Sequence, residues 1–468
     1  MFERGIEKRL AEWAVDGNRK PLLLRGARQV GKTVAVRRFG ARFDCFIELN
    51  LERAGDRAPF VRGLEVEEVF EAIVLRKHAR PMEGKTLLFL DEIQECPEAV
   101  QLLRYFHEKM PHLHVIGAGS LLEIVLAKAE IEFPVGRVQH LVMYPLSFAE
   151  YLNAIGESAA ASALNEVPLP PHAEGRVLEL FHRFTLVGGM PEVVARYAEK
   201  RNAPALREIY ESLLQSYLDD VPKYARNETM ARVLGHCIRT APFEAGNRIT
   251  YAGFGQSNYR SREVAEALRT LDNAMLLHLL HPTTATQIPV RPDMRKAPRL
   301  QFLDTGLLNY FSGLQEQYFL HTDLHSFYRG LLAEHIVAQE LLCHRASLLH
   351  KPCFWVREKS QSSAEVDFVV EHRGRVIPVE VKAGKTGRMR SLHQFVDAAN
   401  PGCAVRLYAG PLETSAVRTP SGTPYRLLSL PYCLAPKIAD YLDRQHVLSG
   451  TGSRQAASAK TQDSGNVS

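Results

Sequence analysis

The residues Gly26-Ala27-Arg28-Gln29-Val30-Gly31-Lys32-Thr33 fit the pattern G-x-x-x-x-G-K-[ST], and each type in it has a physical reason. The glycines let the backbone curl until consecutive N–H groups point at phosphate oxygens. A helix starting at the end of the pattern adds its positive terminus. Lys32 then reaches the β- and γ-phosphates, and the Thr33 hydroxyl ligates Mg²⁺. The implied ligand is ATP–Mg²⁺. Hydrolysis needs a second element, and the apolar run Thr86-Leu87-Leu88-Phe89-Leu90 supplies one. It delivers Asp91 and Glu92 at its C-terminal end, where ligands gather in an open parallel sheet. Asp91 is expected to hold Mg²⁺ through water, and Glu92 to orient and polarise the attacking water. The competing reading is a chance pattern beside an ordinary Asp-Glu turn. Two elements in the right order and context weigh against it.

Two further side chains have double readings. Ser120 follows the apolar run His112–Ile116 and Gly117-Ala118-Gly119. It either sits between the Mg²⁺ site and the γ-phosphate or caps a helix over Leu121–Lys128. Arg137 opens the strand-like run Val138–Met143. It is either a cation set against transition-state charge, in cis or in trans, or a surface arginine.

A second constellation lies far downstream. Ala364–Val370 and Val376–Lys382 flank His372-Arg373-Gly374-Arg375 and read as a β-hairpin. With Arg373-Gly374 as a two-residue turn, Asp367 faces Glu380, with Cβ atoms about 5 Å apart. Lys382 then shares that face. A register slipped by one residue would undo this. Two such close carboxylates repel unless a cation lies between them. Mg²⁺ held by Asp367 and Glu380 would activate water against a phosphodiester, and Lys382 would steady the developing charge. Glu334, on a helix over Leu331–Leu342, is a candidate third acid. The alternative is a solvated hairpin with a Glu380–Lys382 salt bridge. The apolar flanks Val379 and Val381 argue instead for a buried strand, where an unpaired charge is costly.

The elements that must position these residues follow from periodicity. Residues 1–20 read as an amphipathic helix and a polar turn. Short apolar runs at Pro21–Leu24, Thr86–Leu90 and His114–Ile116 alternate with helical patterns, which indicates a parallel α/β sheet. The Pro/Ala-rich stretch Ser158–Glu174 reads as a loop or insertion. Helices are expected over Val177–Thr185, Leu206–Tyr217 and Tyr328–Cys343. Between 230 and 282 the rhythm is helix, short polar helix, longer helix, strand. Strands are expected at Phe354–Arg357, Ala364–Glu371, Val376–Lys382 and Ala404–Tyr408. Ser449–Ser468 lacks an apolar pattern and is expected to be disordered.

Length and composition bound the classes. The chain has 468 residues, 46% hydrophobic and 24% charged, enough for several packed cores. A formal charge of +5 permits contact with nucleic acid without demanding it. Seven cysteines at 45, 96, 237, 343, 353, 403 and 433 form no CxxC pair, so neither a disulfide framework nor a zinc knuckle is indicated. No signal-peptide pattern and no apolar run of membrane-spanning length occurs. The expectation is a cytoplasmic protein with no membrane partner.

Several segments together resemble a known group. These are Leu24–Thr33, Leu90-Asp91-Glu92-Ile93-Gln94, Gly136-Arg137, Tyr144–Leu152, Gly188–Glu192, Phe302–Asn309 and Val379–Lys382. In order, they resemble the bacterial and archaeal AAA+ ATPases that carry a C-terminal domain of unknown function. That resemblance covers about residues 1–435. It implies an AAA+ core, a winged-helix segment and a C-terminal domain with a restriction-endonuclease-like fold. Asp367, Glu380 and Lys382 match the D…E-x-K signature of such nucleases. The expected division is 1–155 for the P-loop AAA+ parallel-sheet domain and 156–224 for a helical lid or connector. A winged-helix segment over 225–312, an α/β nuclease-like domain over 313–445 and a tail over 446–468 follow. The resemblance also hints at ring-shaped homo-oligomers.

In the middle segment, Ser261–Asp272 reads as an amphipathic helix with Val264, Leu268 and Leu271 on one face. Tyr259, Arg260, Arg262 and Arg269 lie toward the other. Such a helix can enter a major groove of DNA or serve only for packing. The leading expectation is an ATPase coupled to DNA or RNA through a nuclease-like module. The alternative is an ATP-dependent regulatory or scaffold protein whose inert C-terminal fold binds a protein partner. A small-molecule kinase is weaker, because no acceptor site is legible.

Overall fold

The computed structural model describes residues 2–120, 136–202, 204–313, 315, 330–347, 349–357, 364–382 and 389–445. The helix expected over Leu121–Lys128, Tyr328 and the tail from 446 onward lie outside them.

The first sheet is five-stranded and parallel. Its strands are β1 (Leu22–Arg25), β2 (Cys45–Asn50), β3 (Thr86–Asp91), β4 (His114–Gly119) and β5 (Gln139–Val142), in the order β2-β3-β4-β1-β5. Successive side chains of a strand point to opposite faces. Leu22, Leu24, Leu87 and Phe89 therefore enter one core, and Leu23, Leu88 and Leu90 another. Burial on both faces is why these runs are continuously apolar. β2 was not legible in advance, because Cys45–Asn50 alternates buried and half-buried residues and carries Glu48.

Ser158–Asn165 is a helix, which corrects the expected loop. The prolines that suggested a loop begin only at 168. Before them the segment is rich in alanine, the strongest helix former, and Ala160, Ala161, Ala163 and Leu164 are buried. Further helices cover Pro171–Val187, Pro191–Lys200, Arg207–Asp219 and Val221–Tyr224.

In the middle segment, helices Glu228–Glu244 and Ser261–Asn273 bracket a single 3₁₀ turn at Phe254–Gln256. β6 (Leu277–Leu280) and β8 (Arg299–Phe302) then pair antiparallel. Val264, Leu268 and Leu271 are fully buried, while Arg260, Arg262 and Arg269 are exposed and Tyr259 is half-buried.

The C-terminal sheet is seven-stranded and mixed. It contains β7 (Pro282–Thr283), β9 (Cys353–Val356), β10 (Glu365–His372), β11 (Arg375–Lys382), β12 (Cys403–Tyr408), β13 (Glu413–Arg418) and β14 (Pro424–Pro431). β7 crosses the division expected at 312, so the middle segment contributes an edge strand to this sheet. The Gly330–Arg345 helix packs on β11.

The modules are not beads on a string. One buried cluster runs from Ile6 and Leu24 through Phe181, Tyr217 and Leu268 to Val379 and Leu442. At its centre sits Asp304, fully buried at the head of the Thr305–Phe311 helix. Its carboxylate accepts from the backbone N–H of Gly189 at 2.6 Å, Gly306 at 2.9 Å and Leu307 at 3.2 Å, and from Gln339 at 3.4 Å. Gly188 has φ +75°, and a Cβ there would lie 2.1 Å from Asp304 Oδ1. The segments Tyr144–Leu152, Gly188–Glu192 and Phe302–Asn309 therefore meet at one joint, since Leu146 N–H donates to Gly189 O at 2.7 Å.

Asp304→Ala strands three buried N–H donors, at about 1–3 kcal/mol each. Part of this is offset, because burial already pushes the Asp304 carboxyl up to about 6. The expected net loss is about 2 kcal/mol in urea unfolding, with a smaller loss for Asp304→Asn. An alanine variant as stable as wild type would show that the joint carries no stability.

Candidate functional site

The curl at Gly26–Gly31 is enforced from several sides. A Cβ on Gly26 would lie 2.3 Å from Met143 O, and Gly31 has φ +95°, which an L side chain rarely adopts. Gln29 also lies in the left-handed region, at φ 66°. Arg4 donates to Val30 O at 3.0 Å and Tyr144 O at 2.8 Å. Arg28 is ion-paired to Asp220, Tyr217 hydroxyl donates to Arg28 O at 3.3 Å, and Gln29 donates to Ser216 at 3.4 Å. The helices Arg207–Asp219 and Val221–Tyr224 thus grip the loop at Arg28 and Gln29. Sequence alone gave no signal for Arg4, Tyr217 or Asp220, because all three act across long separations.

Lys32 opens the Lys32–Gly40 helix and is buried, its ammonium donating to Gly26 O at 3.0 Å and Ala27 O at 2.9 Å. Burial lowers its pKa to about 8, with Glu92 and Asp91 opposing the shift. Thr33 hydroxyl donates to Asp91 Oδ2 at 2.8 Å. Burial pushes the Asp91 carboxyl up to about 6. Glu92 adopts φ 51°, a conformation that costs a non-glycine residue of order 1 kcal/mol. Gln94 Nε2 donates to Glu92 Oε2 at 2.6 Å, and only glycine at 119 leaves Gln94 its space, since a Cβ there would lie 2.3 Å from Gln94 Oε1. A strained backbone and a side-chain tether thus fix Glu92 next to Asp91.

This donor set fits a triphosphate with Mg²⁺. A glycine-shaped curl lined by Ala27, Arg28, Gln29 and Val30, a buried cation in need of anionic partners, and a hydroxyl beside a carboxylate are all in place. The ligand would bring the phosphoryl group and a metal that neutralises its charge. Lys32 would take phosphate oxygens in exchange for two carbonyls, Thr33 and Asp91 would share the metal, and Glu92 would orient water.

Ser120 lies one residue beyond the C-terminal end of β4, between β1 and β3. Arg137 does not join its own P-loop. It precedes Gln139, which pairs with Leu22 at the start of β1, the end of the sheet opposite the loop. Its guanidinium donates to Glu108 at 3.0 Å.

In the C-terminal hairpin, β10 and β11 pair as His372↔Arg375 through Phe368↔Val379, with Arg373 and Gly374 both at positive φ. This is the two-residue turn expected from the sequence. Asp367 and Glu380 are 8% and 5% exposed, so the site is no solvated surface. Asp367 Oδ2 accepts from Val381 N–H at 2.7 Å, and Lys382 donates to Glu380 Oε1. Glu334 joins them, but through a residue the sequence did not suggest. Arg299, from β8, lies 3.2 Å from Glu334 Oε2 and 3.9 Å from Asp367 Oδ1, and it is ion-paired to Glu365. The guanidinium therefore lies beside three of these carboxylates. Among the described residues, no group of three or more His, Cys, Asp or Glu side chains is arranged to hold a metal.

All seven cysteines are free thiols. Among the described residues no helix is long and apolar enough to cross a membrane.

Residues 18–152 match the family described as AAA domain. Residues 178–318 and 329–424 match two families described as domains of unknown function, DUF8612 and DUF4143. The N-terminal module is an AAA-type P-loop domain. No curated protein matches the chain. Solved structures with similarity include the Aeropyrum pernix ORC1 protein in complex with DNA. It is 18% identical over 69% of this chain and 95% of that one, with a TM-score of 0.27. The Aeropyrum pernix ORC2 protein is 11% identical over 68% and 95%, at 0.28. A signal-transduction ATPase with a tetratricopeptide repeat sensor from Pyrococcus horikoshii is 13% identical over 73% and 48%, at 0.25.

Proposed function

We propose that this chain is a Mg²⁺-dependent ATPase whose nucleotide state is passed to nucleic acid through its middle and C-terminal modules. The observation that carries hydrolysis, rather than binding alone, is Glu92. It is held at φ 51° and tethered by Gln94 beside the Thr33–Asp91 pair. Transmission is supported by the grip of Asp220, Ser216 and Tyr217 on the P-loop and by the core that continues from there into the C-terminal sheet. Support for nucleic acid is a row of exposed arginines, Arg262 and Arg269 on a helix buried by its opposite face and Arg260 just before its first residue. That row suits a winged-helix segment reading phosphates. Arg137 would serve only a neighbouring copy, since it faces away from its own P-loop. Ser120 would sense the γ-phosphate from the end of β4.

Glu92→Gln is expected to lower kcat for ATP by about 10²–10⁴-fold, the usual range for a positioned base, while nucleotide still binds. Duplex DNA is expected to raise wild-type turnover, and replacing Arg260, Arg262 and Arg269 together with alanine to remove that rise. Turnover indifferent to both DNA and RNA would overturn the coupling and leave the ATPase.

A second reading is favoured by one observation, Arg299 among the carboxylates. In it the C-terminal fold binds a partner without cleaving anything.

A further inference from the structure

Arg299 belongs to β8, within the segment 178–318, yet its guanidinium is buried among side chains of the C-terminal sheet and its flanking helix. It contacts Glu334 on the Gly330–Arg345 helix and Glu365 and Asp367 on β10. It also donates to the Asp367 backbone carbonyl at 3.4 Å. Its carbon centre lies 4.7 Å from the Phe354 ring centroid, a stacking arrangement open to a planar guanidinium and not to a metal ion. Arg248 adds a second cation, 3.7 Å from Glu365, and Lys382 pairs with Glu380. Glu380 Oε2 is buried with no hydrogen-bond partner.

The charges explain the arrangement. Four carboxylates, Glu334, Glu365, Asp367 and Glu380, face three cations. Burial, and then repulsion from Asp367, push the Glu334 and Glu380 carboxyls upward. A hard divalent cation would need these oxygens at about 2.0–2.6 Å. It would have to expel the guanidinium first.

We infer that Arg299 is a built-in counter-cation that takes the place of a divalent metal in the Asp367–Glu380 cluster, locking the middle module onto the C-terminal sheet. The lock holds whether or not ATP turnover is coupled to nucleic acid, so it goes beyond the function proposed above.

The test titrates the full chain with Mn²⁺ alone and follows water proton relaxation. Wild type and Asp367→Asn should give superimposable curves, because no metal site depends on Asp367 while Arg299 is present. Arg299→Ala should melt at a lower temperature than wild type. Mn²⁺ at about a hundredfold above its dissociation constant should raise that Tm by about 2–3 °C. The rise should vanish in Arg299→Ala/Asp367→Asn, and wild type should show none. A wild-type Mn²⁺ site lost on Asp367→Asn would overturn the inference. So would an Arg299→Ala protein as stable as wild type and indifferent to Mn²⁺. If Arg299→Ala yields no folded protein, the comparison of wild type with Asp367→Asn decides alone.

Discussion

Lys32→Ala should lower kcat/KM for ATP by about a thousandfold. Two charge-assisted contacts to phosphate oxygens are lost, at about 1.5–3 kcal/mol each, and each 1.36 kcal/mol is a decade of rate. The variant separates lost chemistry from lost fold unusually well. A lysine whose folded pKa falls from 10.5 to about 8 is a charge that folding disfavours. At neutral pH it costs stability, so its removal should cause no large fall in Tm, even though Gly26 O and Ala27 O lose a donor. Phosphate release and a thermal melt on the same sample check both halves. Turnover retained at the wild-type rate would remove the P-loop from the chemistry.

Glu340→Gln should change how stability depends on pH. Glu340 is 2% exposed, and Phe148 N–H donates to its Oε1 at 3.0 Å. Burial pushes its carboxyl from 4.5 up to about 8, the Phe148 bond opposes this, and the charge of Glu150 adds to it. Arg4 lies 3.1 Å from Glu150 and so is engaged elsewhere. Below pH about 4.5 the group is protonated folded and unfolded, and contributes nothing. Between about 4.5 and 8 only the unfolded chain has lost the proton, so each pH unit removes up to about 1.4 kcal/mol of stability. Above 8 the loss is complete. Glutamine keeps the acceptor for Phe148 and has no proton to lose. The two proteins should therefore unfold alike near pH 5, with the variant ahead by several kcal/mol at pH 8 on this slope. Parallel urea midpoints across that range would show that Glu340 ionises freely in the folded chain.

Both side chains show where sequence reading succeeds. Lys32 was found because its partners are local: a curl of six residues and the helix it starts. The β10–β11 register was legible for the same reason, since Arg373 and Gly374 fix it within one hairpin. Glu340 and Asp304 gave no warning. Each sits in an apolar context that reads as an ordinary helix or turn, and what makes it unusual arrives from residues more than a hundred positions away. Ser158–Asn165 was misread because proline beyond position 167 coloured a stretch whose alanines set its own structure.

By itself the sequence determined the Gly26–Gly31 curl, the acidic pair at the end of β3, the alternation of strand and helix, and the register of the β10–β11 hairpin. These depend on backbone geometry and side-chain periodicity over short spans. Only the tertiary structure decided which charges meet. It set Asp220 against the P-loop, turned Arg137 away from it, and put Arg299 beside Glu334, Glu365 and Asp367. The reason is that a buried ion pair is fixed by the packing of separate segments, and no local pattern encodes which segment will supply the opposite charge.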